Sequence, residues 1–354
     1  MVGARYHRDL GEKKSSGIRS RVLLVVINLV SIGCLVWALR DAKLGELKDD
    51  LASMNWWWVA VAVIADVVMY FWHAMRWRIL LRPVVRLRYW DTVRAIYVGL
   101  FANEVLPFRA GEVLRCYLLT KETALETKEA ALPFSVSLTS ALIERVFDGI
   151  WLSVCLFVML RLIPIPHRLR YLVDGGYVLA IVVLVLAAAL GGAMFHHYKS
   201  GPAQSTKPWR RQLRILCEDL EIIGHSRYLF AAFVQSLPYL LLGVIPIYAS
   251  FRGYGFDLSL TTAFGLMVIL RLGGVIPQAP GNLGIYQLMT RESLIYIFNV
   301  VPDEAGRFSL VLWAIVTLPL LIGGAISLVV TGSKLGDLHR AARTEASELS
   351  KSRP

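Results

Sequence analysis

Three clusters of charged and helix-breaking residues interrupt an otherwise apolar chain, and each has the chemistry to hold a charged group within a membrane. The first is N-E-V-L-P-F-R-A-G-E-V-L-R, which supplies Asn103, Pro107, Arg109, Gly111, Glu112 and Arg115. Pro107 has no backbone N–H to donate, so a helix arriving there should break. Beyond it Arg109, Glu112 and Arg115 recur at every third position, close to one side of a helix. Glu112 can pair with either arginine and leave the other to hold an anion. The second cluster is Glu144, Arg145 and Asp148. Its two carboxylates are four residues apart and share a helix face. Arg145 can neutralise one of them or pair with Glu112 across the bundle, while the carboxylates could meet a cationic headgroup or relay protons. The third is Arg271 followed by Gly273, Gly274, Pro277, Pro280, Gly281 and Gly284. An arginine inside V-I-L-R-L-G-G-V-I-P is expensive unless it faces a partner or water. A helix restarting after Pro280 would present free N–H groups to a phosphate.

Other chemistries find less support. The glycines after Arg271 follow no strand and precede no Gly-Lys-Ser/Thr, which argues against a nucleotide loop. His73 and the His196–His197 pair lack metal-ligand partners at workable spacing. Ser135, Ser137, Thr139 and Ser140 have no base beside them, and hydroxyls bonding between helices are their ordinary role. No catalytic residue, metal site or cofactor is expected from these patterns. Four cysteines, Cys34, Cys116, Cys155 and Cys217, form no C-x-x-C pair, so neither a disulfide framework nor a zinc site is indicated.

The elements that must position these clusters are membrane helices. Of the 354 residues, 56% are hydrophobic and only 18% charged, and the mean hydropathy is +0.55. A soluble domain usually carries about a quarter charged residues. The formal net charge of +12 gathers in short segments between apolar runs, where it reads as a topology signal and a contact with anionic headgroups; nucleic acid is set aside. Apolar runs at 22–39, 56–75, 146–163, 173–194, 228–250 and 309–330 approach the ~20 residues of a membrane span. Residues 1–21 form a basic arm, and the first run has no convincing cleavage site, so it reads as a retained helix. Arginines 76, 78, 82, 86, 88 and 94 read as one basic loop. The charge bias puts that loop and both termini in the cytoplasm, and 40–55 outside.

Regions 95–145 and 259–299 fit no simple span and read as re-entrant or discontinuous helices. Unwound backbone survives in a bilayer only when shielded by protein or lining a wet cavity. Broken segments in corresponding halves point to a transporter's binding site and suggest an inverted repeat, although no residue-level repeat accompanies them. The expected fold is therefore an all-α, polytopic membrane bundle in a cell (cytoplasmic-type) membrane. Residues 205–226 should add an amphipathic helix, with Trp209, Leu213, Leu216, Leu220 and Ile223 on one face, lying on the membrane surface or packed under the bundle. Residues 331–354 read as a polar cytoplasmic tail.

At its three clusters the sequence resembles the transmembrane region of the lysylphosphatidylglycerol synthase/flippase family, also called flippase-like or UPF0104 membrane proteins. The likeness spans roughly residues 20–335. It rests on N-x-x-L-P-x-R-x-G-E-x-x-R at Asn103–Arg115, on E-R-x-x-D at Glu144–Asp148 and on the stretch from Arg271 to Gly284. The resemblance implies a membrane domain that moves lipids between leaflets around a central polar cavity, here without the cytosolic synthetase domain of the bifunctional members. Where P-G-G-x-G-x-x-E is expected, this chain has Pro280, Gly281, Asn282, Leu283, Gly284, Ile285, Tyr286 and Gln287. Gln287 in place of a carboxylate weakens any carry-over of cationic-headgroup binding or proton coupling.

The leading expectation is a lipid flippase that moves a phospholipid or lipid-linked phosphate. Asn103, Arg109, Glu112, Arg115, Glu144, Arg145, Asp148, Arg271, Gly281, Asn282 and Gln287 are its candidate headgroup residues. Arg109, Arg115 and Arg271 should converge on one cavity. The expected partners are membrane lipids, anionic or of polyprenyl-phosphate type, with a second copy or a lipid-synthesising enzyme as a further partner. Two other readings stay open: a membrane enzyme using Glu112, Glu144 or Asp148 as base, and a non-transporting subunit of a lipid-modifying enzyme.

Overall fold

The computed structural model describes residues 22–23, 25–106, 110–126, 131–167, 171, 174–185, 218–219, 221–224, 226–274 and 278–352. Among these the chain is helical, with no strand. In chain order, α1 (Val25–Leu39) bends by 77° into a short 3-10 turn and α2 (Leu47–Ser53). Then follow α3 (Trp56–Leu81), α4 (Tyr89–Val105), α5 (Gly111–Glu126), α6 (Phe134–Leu162) and α7 (Asp174–Val185). The remainder is α8 (Ser226–Leu242), α9 (Val244–Tyr254), α10 (Leu260–Gly273), α11 (Ile285–Tyr296), α12 (Pro302–Val330) and α13 (Leu335–Ser352).

Among the described residues, three continuous helices are long and apolar enough to cross a membrane: α3, the run Arg227–Tyr254 through α8 and α9, and α12; the bent α1–α2 pair would make a fourth. Their outward residues are the ones a soluble protein would hide. Leu29, Ile64, Phe230 and Val329 are all exposed, as a surface facing lipid requires.

α3 is the central pillar, packed against α4, α6, α8, α9 and α12. Asn55 starts it, its side-chain oxygen accepting from the Trp57 N–H at 3.1 Å. α4 lies between α3, α5 and α12. The α4–α5 approach depends on Gly111: a Cβ there would run into the Gly99 carbonyl and the Asn103 side chain.

Several boundaries differ from the sequence expectation. α3 continues to Leu81, so Arg76 and Arg78 belong to the helix rather than to a basic loop. The run after Pro133 is not a broken segment; it opens a single 29-residue helix, α6. Pro133 sits at its N-cap, where a missing N–H costs nothing. Residues 335–352 form a helix rather than a loose tail. Leu335, Leu338, Ala342 and Ala346 recur on one face, and α13 packs along α5. Region 259–299 is discontinuous, α10 and α11 being separated by the turn Pro280–Asn282.

Most of the expected amphipathic helix at 205–226, Trp209 to Leu216 included, lies outside the described residues. Of its described part, Asp219 and Ile223 are buried. Asp219 accepts from the hydroxyls of Ser135 at 3.3 Å and Thr139 at 3.0 Å, so this end packs into the bundle.

A separate ionic clasp fastens the bent α1–α2 pair to the second half. Arg291 of α11 pairs with Asp41 and with Glu292 at 2.5 Å, and Arg307 of α12 reaches Asp50 at 2.5 Å and Glu46 at 2.9 Å. Lys43 joins through Asp303 at 3.2 Å. The hydrogen bond that Lys43 donates to Asp303, reinforced by the Glu46 charge, raises the Lys43 pKa above its usual value.

Candidate functional site

The polar interior has two adjoining parts: a self-neutralised ion-pair network and a cavity beside it. The network is built by α3, α5, α6 and α8. Its hub is Glu144, 1% exposed, which accepts from Arg76 Nε at 3.1 Å and Arg115 NH2 at 3.0 Å, with His73 Nε2 at 3.4 Å. Arg76 also holds Asp148 through both terminal nitrogens and donates to Ser236 Oγ at 2.9 Å. Arg115 reaches Glu112 at 2.9 Å, and Glu112 in turn pairs with Arg145. Three guanidinium groups thus face three carboxylates. Arg76 lies over the Tyr239 ring and Arg115 over the Trp77 ring, each guanidinium carbon 4.6 Å from the ring centroid. The deeply buried charges, Arg76, Arg115 and Glu144, are tolerated because each has both a counter-charge and directed hydrogen bonds.

Next to this network is a cavity of about 260 Å³ between α3, α4, α6, α8, α9, α10, α11 and α12. Arg271 faces it. The guanidinium donates to Tyr239 Oη at 3.5 Å, touches Met69 Sδ at 3.2 Å and stacks on the Tyr239 ring at 5.3 Å. Among the described residues no carboxylate forms an ion pair with it. Asp66 lies on the same cavity, 2% exposed, with Oδ2 lacking a hydrogen-bond partner. The two broken regions meet at the wall, where Asn282 Nδ2 donates to Glu104 Oε1 at 2.6 Å. Asn103 belongs to both parts: its carbonyl oxygen accepts from the Gly111 N–H at 2.9 Å, and its amide approaches Glu112 at 3.5 Å.

The structure sorts the sequence candidates into groups. Asn103, Arg145, Arg271 and Asn282 line the cavity. Glu112, Arg115, Glu144 and Asp148 belong to the ion-pair network, and Arg109 and Pro107 lie outside the described residues. The expected convergence of arginines therefore changes: Arg115 does not line the cavity, because Glu112 and Glu144 hold it inside the protein. Nor are Gly281 and Gln287 placed for a ligand. Trp313 Nε1 donates to the Gly281 carbonyl at 2.7 Å, and Gln287 Oε1 accepts the Gly284 N–H at 2.7 Å, closing off the start of α11. Gly284 is itself pressed against the Ser31 carbonyl of α1, so the helix N-terminus proposed for phosphate is already occupied by protein.

Sequence reasoning missed Asp66, Arg76, Glu104 and Tyr239. A lone aspartate in V-I-A-D-V-V-M is a signal by itself, since an acid within a span is expensive. Arg76 had no such signal, because five further arginines follow it within eighteen residues and hide it among topology determinants.

The family model for the lysylphosphatidylglycerol synthase TM region matches residues 22–324. The chain is also similar to a UPF0104 membrane protein of Methanothermobacter thermautotrophicus (strain Delta H), with 21% identity over 284 residues, covering 74% of this chain and 81% of that relative.

Proposed function

Because the chain belongs to the lysylphosphatidylglycerol synthase TM-region family, we propose that it is a flippase moving a phospholipid or lipid-linked phosphate between the leaflets of the cell membrane. The observation that carries this reading is Arg271: a guanidinium in the last turn of the apolar helix α10, without an ion pair among the described residues, turned toward the cavity. An arginine held at depth in a membrane is costly, up to roughly 2.5–3.5 kcal/mol at a helix centre on insertion scales. A bound phosphate would offset that cost by bidentate hydrogen bonding, which the planar guanidinium suits. Asn103 and Asn282 stand at the same cavity to meet headgroup hydroxyls, while Glu144 and Asp148 keep the neighbouring arginines occupied. The headgroup would cross through the cavity while the tails keep to apolar surroundings.

The test is leaflet transfer. Purified protein is reconstituted in vesicles with a trace of headgroup-labelled phosphatidylglycerol, and the label open to a membrane-impermeant quencher is followed in time. Transfer that Arg271→Ala abolishes supports the proposal. Chemically altered lipid without transfer would instead favour the membrane-enzyme reading.

A further inference from the structure

Beside the polar cavity lies a second, larger space with the opposite chemistry. It measures about 770 Å³ and runs between α6, α7, α10 and α11. Leu156, Leu160, Leu179, Ile269, Leu272 and Ile297 give it an apolar wall, and Gly175 and Gly176 leave the α7 side smooth. The volume falls within the ~300–1,000 Å³ of ordinary ligand pockets. The two spaces share residues: Gly273 and Met289 border both.

α10 is the partition. Met267, Leu270, Arg271 and Gly274 face the cavity, while Ile269 and Leu272 face the apolar groove. The ~100° step between helical residues puts these two sets on different sides of one rod. At Gly273 the partition is thinnest. A Cβ there would come 3.2 Å from Met289 Cγ, so at this point the flexible Met289 side chain packs on the bare Gly273 backbone and is what separates the two compartments.

We propose that the groove holds an acyl chain of the phospholipid whose headgroup enters the Arg271 cavity, the chain crossing over Gly273 where the Met289 side chain swings aside. The proposal rests on the transport reading and supplies its missing half, a place for the tail. The shared boundary with the cavity selects this occupant: a lipid held at Arg271 must take its chain out across an apolar wall, and the one closed only by Met289 begins two residues from the guanidinium. The groove offers little attraction of its own, because a chain leaves one apolar medium for another. Its role is to keep the chain out of the polar cavity. Each methylene forced from apolar into wet surroundings is disfavoured, and two of them lower occupancy about tenfold.

The experiment uses the full chain in lipid nanodiscs with phosphatidylglycerol bearing a diazirine near the end of one acyl chain. After illumination, labelled peptides are mapped, and leaflet transfer is measured in parallel vesicles. The expected result is labelling at Leu160, Leu179 or Tyr296, reduced about tenfold by Gly273→Leu, which plugs the passage. Leu179→Trp narrows the groove away from the cavity and should displace the label in the same way, which keeps the test decisive if Gly273→Leu does not fold. Labelling confined to outward positions such as Val182 and Phe157, or groove labelling unaffected by a folded Leu179→Trp, overturns the proposal. Groove labelling without leaflet transfer supports the site and sinks the transport reading. Transfer without groove labelling does the reverse.

Discussion

Replacing Glu144 with glutamine preserves shape and removes one charge from the hub of the ion-pair network. The carboxylate accepts from Arg76 at 3.1 Å and from Arg115 at 3.0 Å. Three arginines balance three carboxylates in the network, so the variant leaves one guanidinium uncompensated at a site that is 1% exposed. Removing one partner of a buried pair destabilises by roughly 3–5 kcal/mol, because the remaining charge stays buried. For a chain of 354 residues each kcal/mol shifts Tm by roughly 1.3 °C, so a fall of about 4–7 °C is expected. Thermal unfolding in detergent, followed by aggregation or by intrinsic tryptophan fluorescence, reads it. A second substitution, Arg115→Gln, restores the balance, and the double variant should recover about 1–3 kcal/mol relative to the sum of the single effects. A Glu144→Gln protein within about 2 °C of wild type, or strictly additive single effects, would refute the neutral-network argument.

The other expectations follow from geometry and charge. Arg271→Lys keeps the charge but loses the planar fork, so leaflet transfer should fall at least about tenfold with Tm unchanged; wild-type transfer would show that bidentate contact is not needed. Gly111→Ala should destabilise by about 1–3 kcal/mol, because its Cβ meets the Gly99 carbonyl, a rigid neighbour. Wild-type stability would mean that α4 and α5 separate freely. Single cysteines introduced in the 40–55 segment should react with an impermeant maleimide added to intact cells, and cysteines in 335–352 only after permeabilisation. The reverse pattern would invert the proposed orientation.

The helical membrane class was readable because apolar runs of span length occur in few other settings, and the discontinuity near Pro280 was readable because prolines and glycines break helices by covalent structure. Glu112 and Arg145 were readable as one of two pairings, and the fold chose between them. What could not be read depends on neighbours far along the chain. Arg76 is a loop cation by composition and a network member by contact with Glu144, 68 positions away. Gln287 looked like a headgroup contact until its side chain was seen to cap its own helix. The helix 335–352 is polar by count, and only its contact with α5 shows which four small or apolar residues matter.

The bond between Asn282 and Glu104 spans 178 positions, whereas Arg76, Arg115, Glu144 and Asp148 all lie within one stretch ending well before the middle of the chain. At synthesis rates of ~5–20 residues per second, the ribosome needs roughly 9–36 s to add those 178 residues. The charged pillar can therefore settle while the far wall of the cavity is still unmade. A nascent chain spends that interval with Asp66 and Glu104 in place, and with neither Arg271 nor Asn282 yet available to them. Biogenesis then has an intermediate that is complete in its own ion pairs and open on one side. That open side is the surface a membrane insertase or a neighbouring lipid must cover until α10 and α11 arrive.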